Sequence, residues 1–219
     1  MIEKHMPSPV GHALAGVAVA WAADLAPGRR AWRTTDSTTS LFARAGGTLT
    51  LVCAALSAAP DLDLIFLSRH RAVTHSLGAV ITTFIIATAV TRWVRRLSSP
   101  GVQASGQEPE QRPVLRIGLM CAAAYGSHLF LDWLAVDTTL PYGLQALWPF
   151  SDRWYISGLD LFPGTERRDI LSLTAFRTNL IAVSWEAAIL LPVLGLAWLV
   201  RVKALAGLAT EPAGRHHAS

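Results

Sequence analysis

Apolar runs alternate with polar segments along the chain and predict five helices. The runs cover residues 10–25, 45–59, 76–94, 114–136 and 180–202. A helix that crosses a bilayer needs about 17–25 predominantly apolar residues, so the last three runs predict membrane spans. The first two are shorter and rich in glycine and alanine, which allow close helix contacts. We expect these two to be tilted spans or shallow helices packed against the others. The predicted fold is an all-α, multi-pass membrane helical bundle with about four to five transmembrane helices.

Composition favours a membrane location. Hydrophobic residues make up 52% of the chain and charged residues 16%, whereas a soluble domain is about a quarter charged. The formal net charge is +4, but no basic patch with interleaved aromatic residues accompanies it, so we expect no nucleic-acid partner. Cys53 and Cys121 lie in apolar runs, which predicts neither a disulfide framework nor a cysteine metal site. The expected partner is the lipid bilayer, and the oligomeric state is left open.

The polar segments predict how the chain is organised. Residues 1–205 are expected to form a single membrane-embedded helical domain. Within it, residues 98–113 are rich in serine, glycine and proline and predict a flexible loop. Residues 137–179 form the longest connection and are expected to fold as a capping loop over one membrane face. Residues 206–219 are expected to be a disordered tail.

The distribution of positive charge predicts an orientation. If all five runs cross the membrane, the segments 24–44 and 92–116 share one face with the C-terminal tail. That face holds twelve of the 19 lysines and arginines, and the opposite face holds seven. Cytoplasmic loops carry an excess of Lys and Arg, so the twelve-charge face is expected to be cytoplasmic.

Histidines and aspartates recur at one end of the predicted spans. In an up-and-down arrangement, the start of the first run, the end of the second, the start of the third and the end of the fourth meet at the extracytoplasmic face. The ionisable residues at these places are His12, Asp61, Asp63, His70, His75, His128 and Asp132. Ionisable groups in or near a bilayer are expensive and usually functional. Their convergence therefore predicts a functional site at this face.

The mixture of imidazole and carboxylate predicts a site for a divalent cation. Imidazole suits zinc and iron, while carboxylate also suits manganese and can bridge two ions. We expect zinc first, with manganese or iron as alternatives, and one or two ions. Each residue alone also fits a structural role. Asp61 and Asp63 follow Pro60 and could begin a turn, and His128 could hydrogen-bond Asp132 one helical turn later.

Several motifs carry a resemblance to a known family. PDLD at 60–63, HRAVTHS at 70–76 and HLFLDW at 128–133 are similar to motifs of the YdjM family of bacterial inner-membrane, metal-dependent hydrolases. GHALAG at 11–16 resembles the family's early histidine motif, and LWPFSDRWY at 147–155 resembles its aromatic segment after the fourth span. The resemblance covers about residues 6 to 165. It implies a hydrolase in the bacterial inner membrane.

A more distant likeness implies a ligand set. The order of histidines and aspartates is similar to part of the zinc-dependent bacterial phospholipase C pattern. Carried over, the metal ligands would be His12, Asp61, His75, His128 and Asp132, with Asp132 bridging two ions and His12 on the second. That enzyme's further cluster for a third ion has no counterpart, since no histidine lies between residues 129 and 215. The likeness therefore implies a mononuclear or dinuclear site.

The remaining polar residues suggest a hydrolytic mechanism. Asp61 or Asp63 could orient a water or take its proton. Arg71, with Arg69 as a further candidate, could hold an anionic oxygen, because guanidinium groups suit phosphate. A phosphoester, such as a lipid headgroup, is the expected substrate. Three other residues are expected near the site without a direct role: His70, Asp160 and Glu186.

Two non-enzymatic functions stay open. Histidines and aspartates could form a proton or ion path in a transporter. Transporters commonly show internal repeats with sites at the membrane midplane, whereas this chain shows no repeat and its polar residues lie at span ends. Alternatively, a metal could only staple the helices of a membrane scaffold, with no coordination position left open.

Overall fold

The chain folds as a bundle of α-helices. The computed structural model describes residues 7–24, 45–63, 71–98, 113–138, 140–166 and 171–209. Five α-helices lie in these ranges. They are α1 (Pro9–Asp24), α2 (Gly47–Ala58), α3 (Leu77–Ser98), α4 (Val114–Leu134) and α5 (Leu173–Ala209). A short 3-10 helix, Ala59–Leu62, continues α2. No strand occurs within these ranges, which contain only isolated bridges. The all-α prediction is confirmed.

Three helices are long and apolar enough to cross a membrane. The candidate spans are Leu77–Leu97, Val114–Leu134 and Leu173–Val200. The first two runs are helical but shorter, with 16 residues in α1 and 12 in α2. At about 1.5 Å per residue, each is shorter than the roughly 30 Å hydrocarbon core.

The helices alternate in direction. The Trp21 indole N–H near the end of α1 donates to the Ala45 carbonyl just before α2. Arg116, in the first turn of α4, donates to the Ala23 carbonyl at the end of α1. α1 and α5 run parallel, because Trp21 packs near Trp198 while residues before α1 contact the middle of α5. The starts of α1 and α3 therefore lie at the same end of the bundle as the ends of α2 and α4.

Helix α4 occupies the centre of the bundle. It packs against α1, α2 and α3, and α1 also packs against α2 and α5. Small residues allow these close approaches. A Cβ at Gly16 of α1 would overlap the Cys53 carbonyl of α2, and one at Gly118 of α4 would overlap the Thr88 hydroxyl of α3. Such small-residue contacts are typical of helix packing in membranes.

The outer faces of α3 and α5 are apolar and exposed. Ile85 on α3 is 58% exposed and Ile181 on α5 is 67% exposed, and many similar side chains surround them. Extended apolar surface of this kind is rare on soluble monomers. These faces are suited to contact lipid, whereas α4 is the most buried of the three candidate spans.

The segment after α4 covers one end of the bundle. Backbone bridges join Ala135 to Phe162 and Leu144 to Tyr155. The carbonyls of Ala146 and Trp148 accept hydrogen bonds from the first amides of α3 at 2.8 and 3.0 Å. Those amides have no partner within the helix itself, so this segment, the cap (residues 135–166), completes the start of α3.

The last helix is longer than the sequence predicted. It begins at Leu173, inside the segment 137–179 expected to form a loop, and continues to Ala209, inside the expected tail. Ser172 explains the early start, because its hydroxyl accepts a hydrogen bond from the Ala175 amide at 3.1 Å, as an N-cap residue does. Residues 99–112 of the expected flexible loop and residues 210–219 of the tail lie outside the described residues.

Candidate metal centre

Four elements bring five ligand candidates together at the capped end of the bundle. His12 lies in the first turn of α1, Asp61 in the 3-10 helix, and His75 two residues before α3. His128 and Asp132 lie one turn apart near the end of α4. All five are buried, and the three histidines and Asp132 have no exposed surface.

Four residues each contribute one possible ligand atom to the same place. These atoms are Asp132 Oδ2, Asp61 Oδ1 and the Nε2 atoms of His75 and His128. The Nε2 atoms of His75 and His128 lie 3.4 and 3.1 Å from Asp132 Oδ2 and 3.0 Å from each other. Asp61 Oδ1 lies 3.9 and 3.8 Å from the same two nitrogens. A tetrahedral ion with bonds of about 2.0–2.1 Å has ligands separated by about 3.3–3.4 Å. The five separations of 3.0–3.9 Å among these four residues, the Oδ2 cluster, are close to the spacing around a small tetrahedral cation.

Hydrogen bonds orient both histidines of the Oδ2 cluster. His128 Nδ1 lies 2.7 Å from the Ser57 carbonyl oxygen, which can only accept, so Nδ1 carries the proton of the neutral ring. His75 Nδ1 lies 3.4 Å from Asp63 Oδ2 and 3.0 Å from the Thr74 hydroxyl, which itself donates to Asp63. Nδ1 is therefore the donor here too. Both Nε2 atoms then face carboxylate oxygens, and hydrogen-bonded Nδ1 atoms of this kind also orient histidines that bind metals.

The carboxylates also set the charge preference of the site. Burial lowers the pKa of His75, but Asp61 and Asp63 raise it more through hydrogen bonding and charge, so the pKa rises to about 9. The same negative potential attracts a metal cation, which would compete with the proton for His75 Nε2.

His12 stands apart from the other histidines. Its Nε2 lies 3.3 Å from Asp132 Oδ1, and its ring stacks on His128 with centroids 3.7 Å apart. Neither ring nitrogen makes a hydrogen bond. His12 and Asp132 form the Oδ1 pair. His128 offers only Nε2, since Ser57 occupies its other nitrogen. Asp132 is therefore the residue that could be shared between two ions.

Comparison with known proteins gives the family. The sequence matches the family model for YdjM inner membrane protein over residues 6–207. The chain belongs to the YdjM inner membrane protein family. No curated protein and no solved structure gives a match. Family membership and the three candidate spans agree on a membrane location. The buried histidines and aspartates of this YdjM protein form groups that could hold a metal ion.

Glu186 holds the start of α1 in the YdjM protein. It is 1% exposed in the middle of α5 and accepts hydrogen bonds from the Ser8 amide, at 2.7 Å, and from the Ser8 hydroxyl. The His12 amide donates to the Ser8 carbonyl at 3.1 Å. A Cβ at Gly11 would overlap the Glu186 carboxylate, so a larger residue there would displace this side chain. Glu186 thus fixes the helical turn that carries His12.

Arg71 forms a buried ion pair beside the cluster. Its Nη1 lies 2.7 Å from Asp137 Oδ2, which also accepts the Gly143 amide at 2.6 Å. The Arg71 amide lies 3.4 Å from Asp63 Oδ2. Arg71 is 4% exposed, and its Nε and Nη2 have no hydrogen-bond partner. Its φ of 67° lies in the left-handed region, which is uncommon for arginine.

The structure places the other predicted residues differently. Asp160 is exposed on the cap with a φ of 52°, so it does not join the buried cluster. Arg69 and His70 lie outside the described residues. Sequence reasoning missed Asp137 and the Ser57 carbonyl. Asp137 follows HLFLDW closely, and its position just beyond α4 was the available signal.

Proposed function

We propose that this YdjM protein is a membrane-bound, metal-dependent hydrolase whose ion is held by the Oδ2 cluster. The observation that carries the proposal is the convergence of the His75 and His128 Nε2 atoms on the Asp61 and Asp132 carboxylates in a buried place. Such an arrangement is repulsive without a positive charge and stable with one.

The donor set favours zinc. A donor set of two imidazole nitrogens and two carboxylate oxygens fits zinc, and manganese or iron are the alternatives. When bound, the cation would supply Lewis acidity and lower the pKa of a coordinated water. One ion fits the Oδ2 cluster. A second would have to use the Oδ1 pair, with Asp132 shared.

Asp61 is the member of the cluster suited to handle a proton. Its separations of 3.8 and 3.9 Å from the histidine nitrogens are the longest in the cluster, and it alone has exposed surface, 9%. A carboxylate that reaches solvent can take a proton from a water in contact with it. Asp63 is occupied with His75 and Thr74, so its role would be to orient His75.

Arg71 supports an anionic substrate. A buried guanidinium with two unpartnered nitrogens, Nε and Nη2, is costly, and the N–H groups on these two nitrogens match a phosphoryl or carboxylate group. Asp137 holds one arm of the guanidinium and fixes its plane. We therefore propose a phosphoester as the substrate, with a lipid headgroup as the form available at this depth. Charge distribution in the loops favours the extracytoplasmic face.

One observation favours a second candidate. The Oδ2 cluster offers four protein atoms as ligands, and a site in which all four ligands come from the protein is typical of structural zinc. In that case the metal would staple α2, α3 and α4 at the capped end without catalysis.

Metal content and hydrolysis together separate the candidates. The full-length protein is purified in detergent, its metals are measured by elemental analysis, and hydrolysis of p-nitrophenyl phosphorylcholine and fluorescent phospholipids is followed. We expect about one bound zinc, lost in His128→Ala and retained in the tail variant His216→Ala. We also expect hydrolysis that a chelator abolishes and that Arg71→Gln lowers without removing the metal. Metal-free wild-type protein, or His128→Ala with normal metal content, would contradict both candidates. Bound metal that raises the melting temperature without any hydrolysis would favour the staple.

A further inference from the structure

A long apolar groove extends from the middle of the bundle to the end opposite the metal centre. It runs between α2 and α3 with α4 as its floor, and its volume is about 670 Å³. Val52 of α2, Ile86 and Val90 of α3 and Ile117 of α4 are among its lining residues. This volume is within the range of about 300–1,000 Å³ found for small-molecule sites. The groove exists because α2 and α3 both pack on α4.

The two threonine hydroxyls in the wall formed by α3 are already satisfied. Thr83 donates to the Ala79 carbonyl at 2.9 Å, and Thr91 donates to the Ala87 carbonyl at 2.7 Å. A hydroxyl bonded to its own helix offers little to a polar ligand. The wall therefore presents methyl and methylene groups, which suit a hydrocarbon chain.

One end of the groove is cationic. Arg95 lines it in the last turn of α3, with Arg92 and Arg96 close by in the sequence. At about 1.5 Å per residue, Arg95 lies about 27 Å along α3 from Leu77, which is close to the thickness of a hydrocarbon core. Arg95 thus lies at headgroup depth in the leaflet opposite the metal centre.

We propose that one acyl chain of an anionic phospholipid occupies this groove, with its phosphate at Arg95. An amphiphile with an apolar body and an anionic head matches a groove with apolar walls and a cationic end. Family membership places the groove in a lipid membrane, where such molecules surround it. The proposal does not depend on hydrolysis, because none of the residues that line the groove is a ligand candidate of the metal centre.

A matched pair of alanines tests the acyl chain. Ala87 lines the groove, while Ala89 is exposed on the same helix and does not. The full-length protein is reconstituted in nanodiscs of phosphatidylglycerol and phosphatidylcholine with identical chains, then released into detergent, and bound lipids are counted by native mass spectrometry. We expect Ala87→Phe to lose about one bound lipid per chain and Ala89→Phe to lose none. Equal lipid counts in the two variants would overturn the proposal.

A matched pair of arginines tests the headgroup. Arg95 lines the groove, whereas Arg96 is exposed and does not line it. One basic residue near an anionic lipid surface is worth about fivefold in binding. We expect Arg95→Gln to lower the ratio of bound phosphatidylglycerol to phosphatidylcholine about fivefold, and Arg96→Gln to leave it unchanged. An unchanged ratio in Arg95→Gln would overturn the assignment of the phosphate.

Oligomeric state separates the lipid from a protein occupant. Light scattering of wild type and Ala87→Phe in detergent shows whether the groove joins two copies of the chain. We expect the same mass for both. A dimer that becomes a monomer in Ala87→Phe would assign the groove to a second copy and overturn the lipid proposal. If Ala87→Phe fails to fold by circular dichroism, the arginine pair decides the question.

Discussion

The two carboxylate oxygens of Asp132 face histidines that are held in place in different ways. On the Oδ2 side, His75 and His128 each have Nδ1 fixed by a protein acceptor, so both Nε2 atoms are aimed. On the Oδ1 side, His12 has no hydrogen bond at either nitrogen and is placed by stacking on His128 and by the turn of α1 that Glu186 holds.

The histidines on the two sides differ in how far they are preorganised to bind a cation. A ligand whose second nitrogen is hydrogen-bonded has a fixed tautomer and a fixed ring plane, so little order is lost when a cation binds. A ring positioned only by packing has neither constraint. The Oδ2 cluster should therefore take up the first ion, and the Oδ1 pair should act as a weaker second position or as a support.

Removing Asp132 gives the largest effect, because it acts on both sides at once. We expect Asp132→Ala to lose all stoichiometric zinc, with an affinity loss beyond the roughly 100-fold typical of outer-shell changes. Competition with a fluorescent chelator measures this loss. Asp152→Ala, which changes an exposed carboxylate of the cap, is the control. Normal zinc binding by Asp132→Ala would show that Asp132 does not hold the ion, and the comparison of its two sides would then be wrong.

Changing Asp63 affects only the Oδ2 side of Asp132. Asp63→Asn replaces the carboxylate that faces His75 Nδ1 with an amide, so the ring loses its best acceptor. We expect zinc affinity to fall about 10- to 100-fold while the stoichiometry stays the same. Asp160→Asn on the exposed cap serves as the control. An unchanged affinity would mean that Asp63 does not orient His75.

Removing His12 has the smallest expected effect on metal affinity and affects only the Oδ1 side of Asp132. We expect His12→Ala to keep one ion with less than about a tenfold change in affinity, because no atom of the Oδ2 cluster belongs to His12. If wild type binds two ions, the stoichiometry should fall from two to one. Elemental analysis and chelator competition measure both quantities. Complete loss of metal in His12→Ala would show that the two sides form a single site.

The fold was largely predictable because apolar runs mark helices directly. All five predicted runs are helices. The start of α5 was misplaced because Arg177 and Asn179 interrupt the apolar pattern, whereas Ser172 caps the helix before them. The Ser172 hydroxyl is a local signal for the start of a helix, but it determines where the helix begins only when the turn that follows is packed.

The convergence of the candidate residues was predictable, but the orientation of their side chains was not. Helices that alternate in direction bring their matching ends together, so His12, Asp61, His75, His128 and Asp132 could be grouped from sequence alone. The acceptor for His128 is a backbone carbonyl, which every residue has, so no side-chain pattern marks it. The pairing of Arg71 with Asp137 depends on how the cap turns after α4, which the sequence does not encode locally.

The hydrogen bonds between the cap and the start of α3 link opening of the cap to release of a bound ion. Leu77 and Gly78 donate to cap carbonyls, Gln145 of the cap donates to the Arg71 carbonyl, and His75 lies between these contacts. Lifting the cap would break all three bonds and release the segment that positions His75. Loss of the ion and opening of the cap would then be one event. The exchange rate of the ion with solution would be set by how often this loop opens, even if the bonds to the ion were weak.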